Sequence, residues 1–355
     1  MSMKNIAILV PSLKSGGAEK QAALLAGCLS KYYNIHLIIL YGEIKMANSN
    51  AEIISNYPKL KTYQLKGTIA CRFYLLWKYL KKNQIDIAFN YLSFCDVYGS
   101  MVERLAGVNR IFNGIRNSRL PKSKMIAERI CHNMWVTGSI YNCYSGSDYF
   151  KSQGFMAEKN HVIPNCFPNI SLPIGRHAKD TIKIITVGRF VPQKDYETAI
   201  RTIAYLRNKN IRFIIVGYGE LERNIRKWVE EYGIEKQALI YINPNNTQEL
   251  LRDADIYLST SIFEGTSNSI MEAMNWSLPV VATDVGDNKY LIHNNENGFI
   301  HKIGDAAEIA KSLSKLLDDE NLRNSMGRRG NDLLKKDYSI ELFEKRYCAL
   351  INGTF

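Results

Sequence analysis

The 355-residue sequence lacks several features, and each absence narrows its class. Its seven cysteines form no C-x-x-C pair, and their odd number favours a reduced protein over a disulfide framework. No run reaches the roughly 18–20 apolar residues that a membrane-spanning helix needs. The first apolar run, Ile6 to Val10, is too short for a signal peptide. We therefore expect a cytoplasmic protein, long enough for two domains.

Several chemical motifs are also missing. The sequence contains no G-x-G-x-x-G, no P-loop, no G-x-S-x-G and no His/Cys cluster with metal-ligand spacing. The triplet Asp253-Ala-Asp255 resembles a metal-binding D-x-D pair, but it lies between a predicted helix and a predicted strand. We interpret the triplet as a surface turn, and we expect neither a metal ion nor a cofactor.

Acidic residues are scarce in the first half of the chain. The formal net charge is +12, and residues 1–175 carry all of this excess. Such asymmetry suggests an anionic partner, either nucleic acid or the anionic leaflet of a membrane. The sequence has no recognised nucleic-acid module and no clear aromatic stacking motif, so we favour the membrane and expect no nucleic acid.

The order of predicted elements indicates two successive α/β domains. Short apolar strands alternate with helices, stop at a proline-rich connector over residues 163–174, and then resume. We predict two Rossmann-like, doubly wound domains over residues 1–170 and 175–337. A helix over about 338–355 is expected to pack on the first domain. Ligands of such sheets bind at the carboxyl ends of strands, and two domains predict a shared cleft.

Two carboxylates bracket a predicted helix start in the second half. Glu264 precedes a glycine-containing loop, and Glu272 lies eight residues later, inside the helix. Helix N-termini bind anions, so a diphosphate fits between the two carboxylates, with sugar hydroxyls on either side. The alternative is a capping box, in which Glu272 only satisfies the backbone of Ser269.

Three loops at strand ends are also candidate ligand contacts. Gly16-Gly17 follows the first strand and allows close backbone approach, although a tight turn explains it equally well. Arg189 and Lys194 follow a buried strand and suit phosphate oxygens, unless they are solvated surface charges. The third loop, Gly217-Tyr218-Gly219, is most simply interpreted as a turn.

Two basic segments lie in the first half. Residues 69–82 predict an amphipathic helix with Ile69, Phe73, Leu76 and Leu80 on one face, Tyr74 and Trp77 beside it, and Arg72, Lys78, Lys81 and Lys82 elsewhere. Such a helix is typical of a membrane-surface element, and the alternative is an ordinary core-packed helix. The second segment, a run containing Arg116, Arg119, Lys122 and Lys124, predicts either a phosphate-binding region or a flexible loop.

Taken in order along the chain, these motifs resemble the retaining nucleotide-sugar glycosyltransferases of family 4. That family has the GT-B fold, in which two Rossmann-like domains face each other across a cleft. The resemblance covers nearly the whole chain, and the segments that carry it are Gly16-Gly17-Ala18-Glu19, residues 162–165, 187–194, 216–219, 264–274, 279–286 and 297–299.

The resemblance implies roles for these residues. Arg189 and Lys194 would stabilise the departing nucleoside diphosphate, and Glu264 would lie near the donor sugar. Glu272 would bind the ribose hydroxyls. The other implied donor contacts are Gly16, Gly17, Asn243, Gly265, Thr266 and Ser267.

The chain departs from the family at several positions. Many relatives have a proline where this chain has Thr266-Ser267-Asn268, and a glycine is common where it has Asp195. Many relatives also place a histidine on the acceptor side. In that region we expect Arg116 and Arg119 to bind the acceptor.

The resulting expectation is a metal-independent, hexosyltransferase-type enzyme that retains the anomeric configuration. The donor would be a nucleotide-sugar, with UDP favoured. The acceptor would be a saccharide linked to a lipid diphosphate, in surface polysaccharide biosynthesis such as that of lipopolysaccharide or capsule. The protein would be peripheral on the inner face of the membrane. The alternatives are an epimerase or synthase on the same fold, a basic nucleic-acid-binding protein, and a non-catalytic scaffold.

Overall fold

The computed structural model describes residues 3–14, 16–116, 120–175 and 180–355. The chain divides into two compact units. The first unit runs to Pro168 and also contains Ile340–Phe355, and the second is Asn169–Ser339. In the described residues, each unit has one wholly parallel sheet with helices between consecutive strands, as in a Rossmann-like domain.

The first unit has a sheet in the order β3-β2-β1-β4-β5-β6-β7. Its strands are β1 (Asn5–Val10), β2 (Asn34–Ile39), β3 (Lys61–Gln64), β4 (Ile87–Tyr91), β5 (Arg110–Ile115), β6 (Gly138–Tyr141) and β7 (Asn160–Val162). Its helices, numbered along the whole chain, are α1 (Gly17–Leu29), α2 (Asn48–Ser55), α3 (Ile69–Lys82), α4 (Ser100–Ala106), α5 (Lys122–Met134), α6 (Tyr144–Ser152) and α14 (Ile340–Asn352). A π-helical turn, Cys95–Gly99, precedes α4.

The central strand β1 shows why this sheet is buried on both faces. Ile6, Ile8 and Val10 pack in the same cluster as residues of α1 and α14, whereas Ala7 and Leu9 pack in the cluster that contains residues of α3 and α4. Successive side chains of a strand point to opposite faces, so a strand covered on both sides must be apolar throughout. This requirement accounts for the uninterrupted apolar run at the start of the sequence.

The terminal helix α14 is part of the first unit. Arg110, at the start of β5, donates to the carbonyl oxygens of Ile351 and Leu350, each at 2.7 Å. Phe343 and Tyr347 of the same helix are buried in the core. The cation therefore satisfies carbonyl groups at the C-terminal end of a helix, which otherwise lack hydrogen-bond donors.

The second unit has a sheet in the order β10-β9-β8-β11-β12-β13. Its strands are β8 (Ile182–Val187), β9 (Ile211–Gly217), β10 (Ala238–Ile242), β11 (Ile256–Ser259), β12 (Val280–Thr283) and β13 (Gly298–His301). Its helices are α7 (Tyr196–Ala204), α8 (Glu222–Glu231), α9 (Thr247–Asp253), α10 (Asn268–Asn275), α11 (Asn288–Leu291), α12 (Ala306–Asp318) and α13 (Glu320–Tyr338).

The predicted pair of doubly wound domains is confirmed, but some local predictions are wrong. The short strands β3 and β7 lie where no strand was predicted. Asp255 is not at the surface: it is buried and accepts a hydrogen bond from the backbone N–H of Lys183 at 2.9 Å. Because Asp255 bonds the backbone of the neighbouring strand β8, we assign it a structural role and not that of a metal ligand in a D-x-D motif.

Helix α3 also differs in detail from the prediction. Ile69 is exposed rather than part of the buried stripe, and Arg72 is buried. The Arg72 guanidinium bonds Glu43 at 2.5 Å and stacks on the Tyr41 ring. Arg72 therefore contributes nothing to the basic surface of α3. In the part of the chain that the structure describes, no helix is long and apolar enough to cross a bilayer.

Buried carboxyl groups predict a pH-dependent stability for the first unit. Glu103 on α4 is fully buried, and burial raises its pKa to about 8, against the effect of its hydrogen bond from Asn90 at 2.9 Å. The folded chain therefore holds a proton that the unfolded chain loses above its ordinary pKa, so stability falls as pH rises from about 5 to 8.

We expect Glu103→Gln to reduce this fall, because its amide oxygen still accepts from Asn90 and it does not ionise. Urea unfolding at pH 5.5, 7 and 8.5 measures the effect. A slope of stability against pH that is equal in the parent and the variant would contradict the assignment.

Candidate active site in the second unit

The sheet of the second unit changes direction between β8 and β11. From β8 the chain proceeds outward through β9 and β10, and it then returns to place β11 on the other side of β8. Loops that leave two adjacent strands in opposite directions open a crevice at the carboxyl end of the sheet, where doubly wound folds bind ligands. The loops here are residues 188–195 and 260–267, which contain most of the predicted donor contacts.

An ion pair joins the two loops. Lys194 Nζ lies 2.6 Å from Glu264 Oε1, and the Ser261 hydroxyl donates to the same oxygen at 2.8 Å. The Glu264 side chain is 10% exposed and that of Lys194 is 18% exposed, so solvent screens the pair only partly. Two predicted site residues, 70 positions apart in sequence, are therefore in direct contact.

Hydrogen bonds to backbone carbonyls hold the same two loops together. The side-chain amide of Gln193 donates to the carbonyl of Phe263 at 2.6 Å, and the Ile262 N–H donates to the carbonyl of Gln193 at 2.9 Å. The Thr260 hydroxyl donates to the carbonyl of Asp195 at 2.8 Å. These bonds fix Lys194 and Glu264 without depending on the ion pair itself. Arg189 is exposed in the same loop.

The departure at Asp195 has a structural explanation. Asp195 has φ of +45°, a left-handed conformation that favours glycine and that aspartate tolerates better than most residues. Its carboxylate also accepts from the backbone N–H of Thr198 at 3.3 Å and so caps α7. Position 195 requires a positive φ, and in this chain it is occupied by an aspartate that also caps α7.

Helix α10 begins two residues earlier than a capping box at Ser269 requires. Ser267 is the residue that precedes the helix, its side chain makes no capping hydrogen bond, and Ser269 lies inside the first turn. Glu272 is therefore one turn inside the helix and does not have the capping position. The amide groups at this helix start have no side-chain cap from Ser267, as an anion site requires.

Tyr257 lies close to both bracketing carboxylates. Burial, the hydrogen bond to Ser269 and the nearby charges of Glu272 and Glu264 all act on its pKa, with burial dominant and a net rise. Its hydroxyl donates to the carbonyl of Val187 at 3.2 Å, the last residue of β8. Neither Tyr257 nor Ser261 was predicted from the sequence, because an apolar strand and a small loop residue carry no distinctive pattern.

A glycine shapes the opposite side of the Glu264 turn. Gly286 has φ of +56°, and a Cβ atom there would lie 2.2 Å from the carbonyl oxygen of Glu264. The Asp287 N–H donates to the carbonyl of Gly265 at 3.1 Å. The segment over residues 279–286, which contributed to the family resemblance without an assigned role, thus supports the loop that contains Gly265 and Thr266.

The remaining predicted donor residues lie on other elements of the fold. Asn243 directly follows β10, two strands from β8, where it is exposed and its N–H donates to the carbonyl of Gly217 at 2.9 Å. Gly16 and Gly17 belong to the first unit, at the start of α1. A Cβ at Gly16 would lie 2.2 Å from a carboxylate oxygen of the buried Glu19.

Arg116, one of the two predicted acceptor residues, lies in the first unit. Arg116 follows β5, stacks on the Tyr91 ring at 4.7 Å, and donates to Asn165 at 3.3 Å and to the hydroxyl of Tyr347 at 3.0 Å. It is half-buried rather than part of an open basic loop. Arg119 lies outside the described residues, so its assignment stays a prediction.

Comparison with known proteins identifies the class of this site. Residues 171–332, slightly less than half of the chain, match the family described as "Glycosyl transferases group 1". The second unit is a glycosyl transferases group 1 domain, and the chain is a glycosyltransferase. Arg189, Lys194, Glu264 and Glu272 all fall within the matched region.

Individual relatives are distant. A Rhizobium meliloti protein named lipopolysaccharide core biosynthesis glycosyltransferase LpsE is 27% identical over 48% of this glycosyltransferase and 50% of its own length. A Campylobacter jejuni enzyme named GalNAc-α-(1→4)-GalNAc-α-(1→3)-diNAcBac-PP-undecaprenol α-1,4-N-acetyl-D-galactosaminyltransferase is 22% identical over 98% of each chain.

A solved structure shows the same fold over the whole length. The Anabaena protein Alr3699/HepE, crystallised with UDP, superposes with a TM-score of 0.82 over 99% of this glycosyltransferase and all of its own chain, at 14% identity. Such low identity supports the fold alone.

The geometry of Glu272 generates a prediction that separates ligand binding from helix capping. We expect Glu272→Ala to leave the empty enzyme folded, since the residue does not cap α10. With UDP as the test ligand, the ribose-binding role that the resemblance implies for Glu272 predicts a smaller thermal shift in the variant, with affinity about 10- to 100-fold weaker, as expected for a charge-assisted hydrogen bond of roughly 1.5–3 kcal/mol.

The control is Glu249→Ala, at an exposed glutamate in the first turn of α9. An undiminished UDP shift in Glu272→Ala, or a large loss of stability without ligand, would show that Glu272 has a structural role.

Proposed function

We propose that this glycosyltransferase moves a sugar from a UDP-sugar to a saccharide linked to a lipid diphosphate, in the synthesis of a surface glycan. The observation that carries the proposal is the Lys194–Glu264 ion pair at the switch point of a Rossmann-like sheet, beside the start of α10. The acceptor named for the Campylobacter relative and the UDP bound to the Anabaena protein support the choice of substrates.

In this proposal the donor lies along the carboxyl edge of the second sheet. Its diphosphate contacts Arg189, Lys194 and the amides near Thr266 and Ser267, because cations and helix starts both stabilise phosphate. Glu272 binds the ribose hydroxyls and Glu264 binds the sugar. Asn243 lies beside the base.

The reaction breaks the bond between the anomeric carbon and the β-phosphate oxygen. An acceptor hydroxyl forms the new bond to that carbon on the same face, and its proton passes to the departing phosphate oxygen. UDP leaves with the bonding electrons, and Arg189 and Lys194 stabilise the charge that develops. The ion pair with Glu264 keeps Lys194 in place before the donor arrives.

The stereochemical outcome and the role of the two cations can be tested together. We expect a product with the donor's anomeric configuration, by NMR of the isolated glycan, and a rate that EDTA leaves unchanged. Lys194→Met should lower kcat by at least about 100-fold, a magnitude typical of losing one preorganised stabilising group.

The matched control is Lys183→Met, whose lysine pairs with Asp253 in the same unit. An inverted product, or activity lost in EDTA and restored by Mn²⁺, would contradict the mechanism. Sugar epimerised without transfer would instead favour the alternative enzyme class.

We also propose that the first unit associates with the anionic inner face of the cell membrane, where a lipid-linked acceptor is found. Helix α3 exposes Tyr74 and Trp77, whose rings stack with centroids 6.2 Å apart. Lys78, Lys81 and Lys82 of the same helix are exposed. Aromatic and basic residues on one helix suit the boundary between lipid headgroups and acyl chains.

Vesicle sedimentation tests this association. We expect binding to vesicles containing anionic lipid, weaker binding at high salt, and an affinity up to about 100-fold lower when Lys78, Lys81 and Lys82 are changed to alanine, since each basic residue contributes about 1 kcal/mol near an anionic surface. A matched control neutralises three exposed lysines of the second unit: Lys227, Lys236 and Lys302. Equal binding to purely zwitterionic vesicles would contradict the proposal.

A further inference from the structure

An open cavity of about 340 Å³ lies at the amino edge of the second sheet. Its apolar floor consists of Ile182 and Ile211, which begin β8 and β9, and of Leu317 near the end of α12. Its polar lining consists of Asp180, Lys209, Asn210, Asp318, Glu320 and Arg323. The volume is at the small end of the range that ligand sites have, and nothing in the proposed reaction uses it.

The cavity is separate from the proposed donor site. The donor loops follow the carboxyl ends of strands, whereas the cavity contacts the first residues of β8 and β9. A strand rises about 3.3 Å per residue, so the six residues of β8 place the cavity roughly 15–20 Å from the donor loops. A ligand in the cavity would therefore leave the donor site open.

Arg323 of α13 is the buried charge of this cavity. The residue is only 5% exposed. Its Nη1 donates to the carbonyl of Leu316 at 2.5 Å and to that of Leu317 at 3.0 Å. These two bonds satisfy carbonyl groups in the last turn of α12, which otherwise lack donors. They account for one of the three guanidinium nitrogens.

The other two nitrogens are accessible. Among the described residues, no hydrogen bond engages Nε or Nη2 of Arg323, and no carboxylate pairs with it. Neither nitrogen belongs to the fully buried polar atoms that lack a partner, so both have accessible surface. Because buried charges in proteins are normally paired, an unpaired guanidinium that lines a cavity favours a ligand with an anionic group.

The other charges of the lining narrow the class of ligand. Lys209 Nζ lies 2.7 Å from Asp318 Oδ1, so these two charges offset each other. Asp180 and Glu320 have no ion-pair partner in the described part of the chain, and Glu320 lies one helical turn before Arg323. The two carboxylates repel a simple anion. A ligand that also has a cationic group satisfies both the carboxylates and the guanidinium.

We propose that this cavity binds a small zwitterion, an α-amino acid with an apolar side chain. Its carboxylate accepts from the free N–H groups of Arg323, and its ammonium group lies beside Glu320 and Asp180. Its side chain rests on the apolar floor that β8, β9 and α12 provide. The site is additional to the donor and acceptor regions, and its occupation stabilises the folded enzyme by mass action.

Ligands that lack one of the two charges test the assignment. L-leucine, L-isoleucine, L-valine and L-methionine are titrated with the protein and followed by saturation-transfer NMR, with UDP at saturating concentration to fill the donor region. We expect at least one of the four to bind. Its analogues without the ammonium or without the carboxylate, which for leucine are 4-methylpentanoate and isoamylamine, should bind at least 10-fold more weakly.

Two variants test the two charged ends of the site. Glu320→Gln keeps the shape of a half-buried side chain and removes its charge, and Arg323→Lys keeps a donor for the α12 carbonyls but loses the planar fork. We expect each to weaken amino-acid binding at least 5-fold. The matched control is Glu308→Gln, at an exposed glutamate in the first turn of α12 that does not line the cavity, and it should bind as the parent does.

Three results would overturn the inference: none of the four amino acids binds the parent, a singly charged analogue binds as tightly as the amino acid, or Glu320→Gln leaves the affinity unchanged. The last result decides even where Arg323→Lys does not fold. The thermal shift produced by UDP should be equal in the parent and in Glu320→Gln, so a failure of the proposed donor site is distinguishable from a failure of this one.

Discussion

The proposed donor site depends on the Lys194–Glu264 ion pair, which connects loops leaving two adjacent strands. A largely buried ion pair contributes little net stability, because desolvation of the two charges offsets their attraction, and apolar residues of similar volume serve as well. A role in ligand binding therefore explains the position of the pair at the switch point better than a role in stability. The pair orients a cation and a carboxylate where the proposed donor would place its diphosphate and its sugar ring. Hydrogen bonds to backbone carbonyls of the two loops hold that orientation without a ligand.

Three carboxyl groups of the first unit are buried in its interior. Asp96, Glu103 and Glu128 are each at most 1% exposed, and burial raises the pKa of all three. They are the acidic residues of α3, α4, α5 and the π-helical turn, so these elements expose basic charge without exposed acidic charge. The outward face of the helices is accordingly more positive than the formal count of charges indicates. The exposed charge of these elements is therefore basic, as the proposed association with an anionic membrane requires.

Sequence patterns predicted the two-domain fold well, because short apolar runs that alternate with helical segments are typical of buried parallel sheets, and this alternation stops and resumes at the proline-rich connector. They also indicated the loops of Arg189 and Glu264, since charged residues after a buried strand are unusual. They could not distinguish a capping box from a ligand site at Glu272, because a difference of two residues in the start of the helix decides between them. Tyr257 and Ser261 were missed for a different reason: their positions arise from contacts between distant segments, and each residue type is ordinary in its own segment.

The departure from the family pattern at Asp195 bears on whether the donor site is intact. A missing glycine in a phosphate-binding loop suggests a degenerate site if the loop needs close backbone approach. Here the position requires a positive φ, and the nearby Lys194 ion pair is in place. Aspartate adopts that φ at a cost that its cap on α7 offsets, because the carboxylate satisfies a first-turn N–H that glycine would leave open. Aspartate at position 195 therefore preserves the backbone path that directs Lys194 toward Glu264. An intact Lys194–Glu264 pair argues against a non-catalytic scaffold.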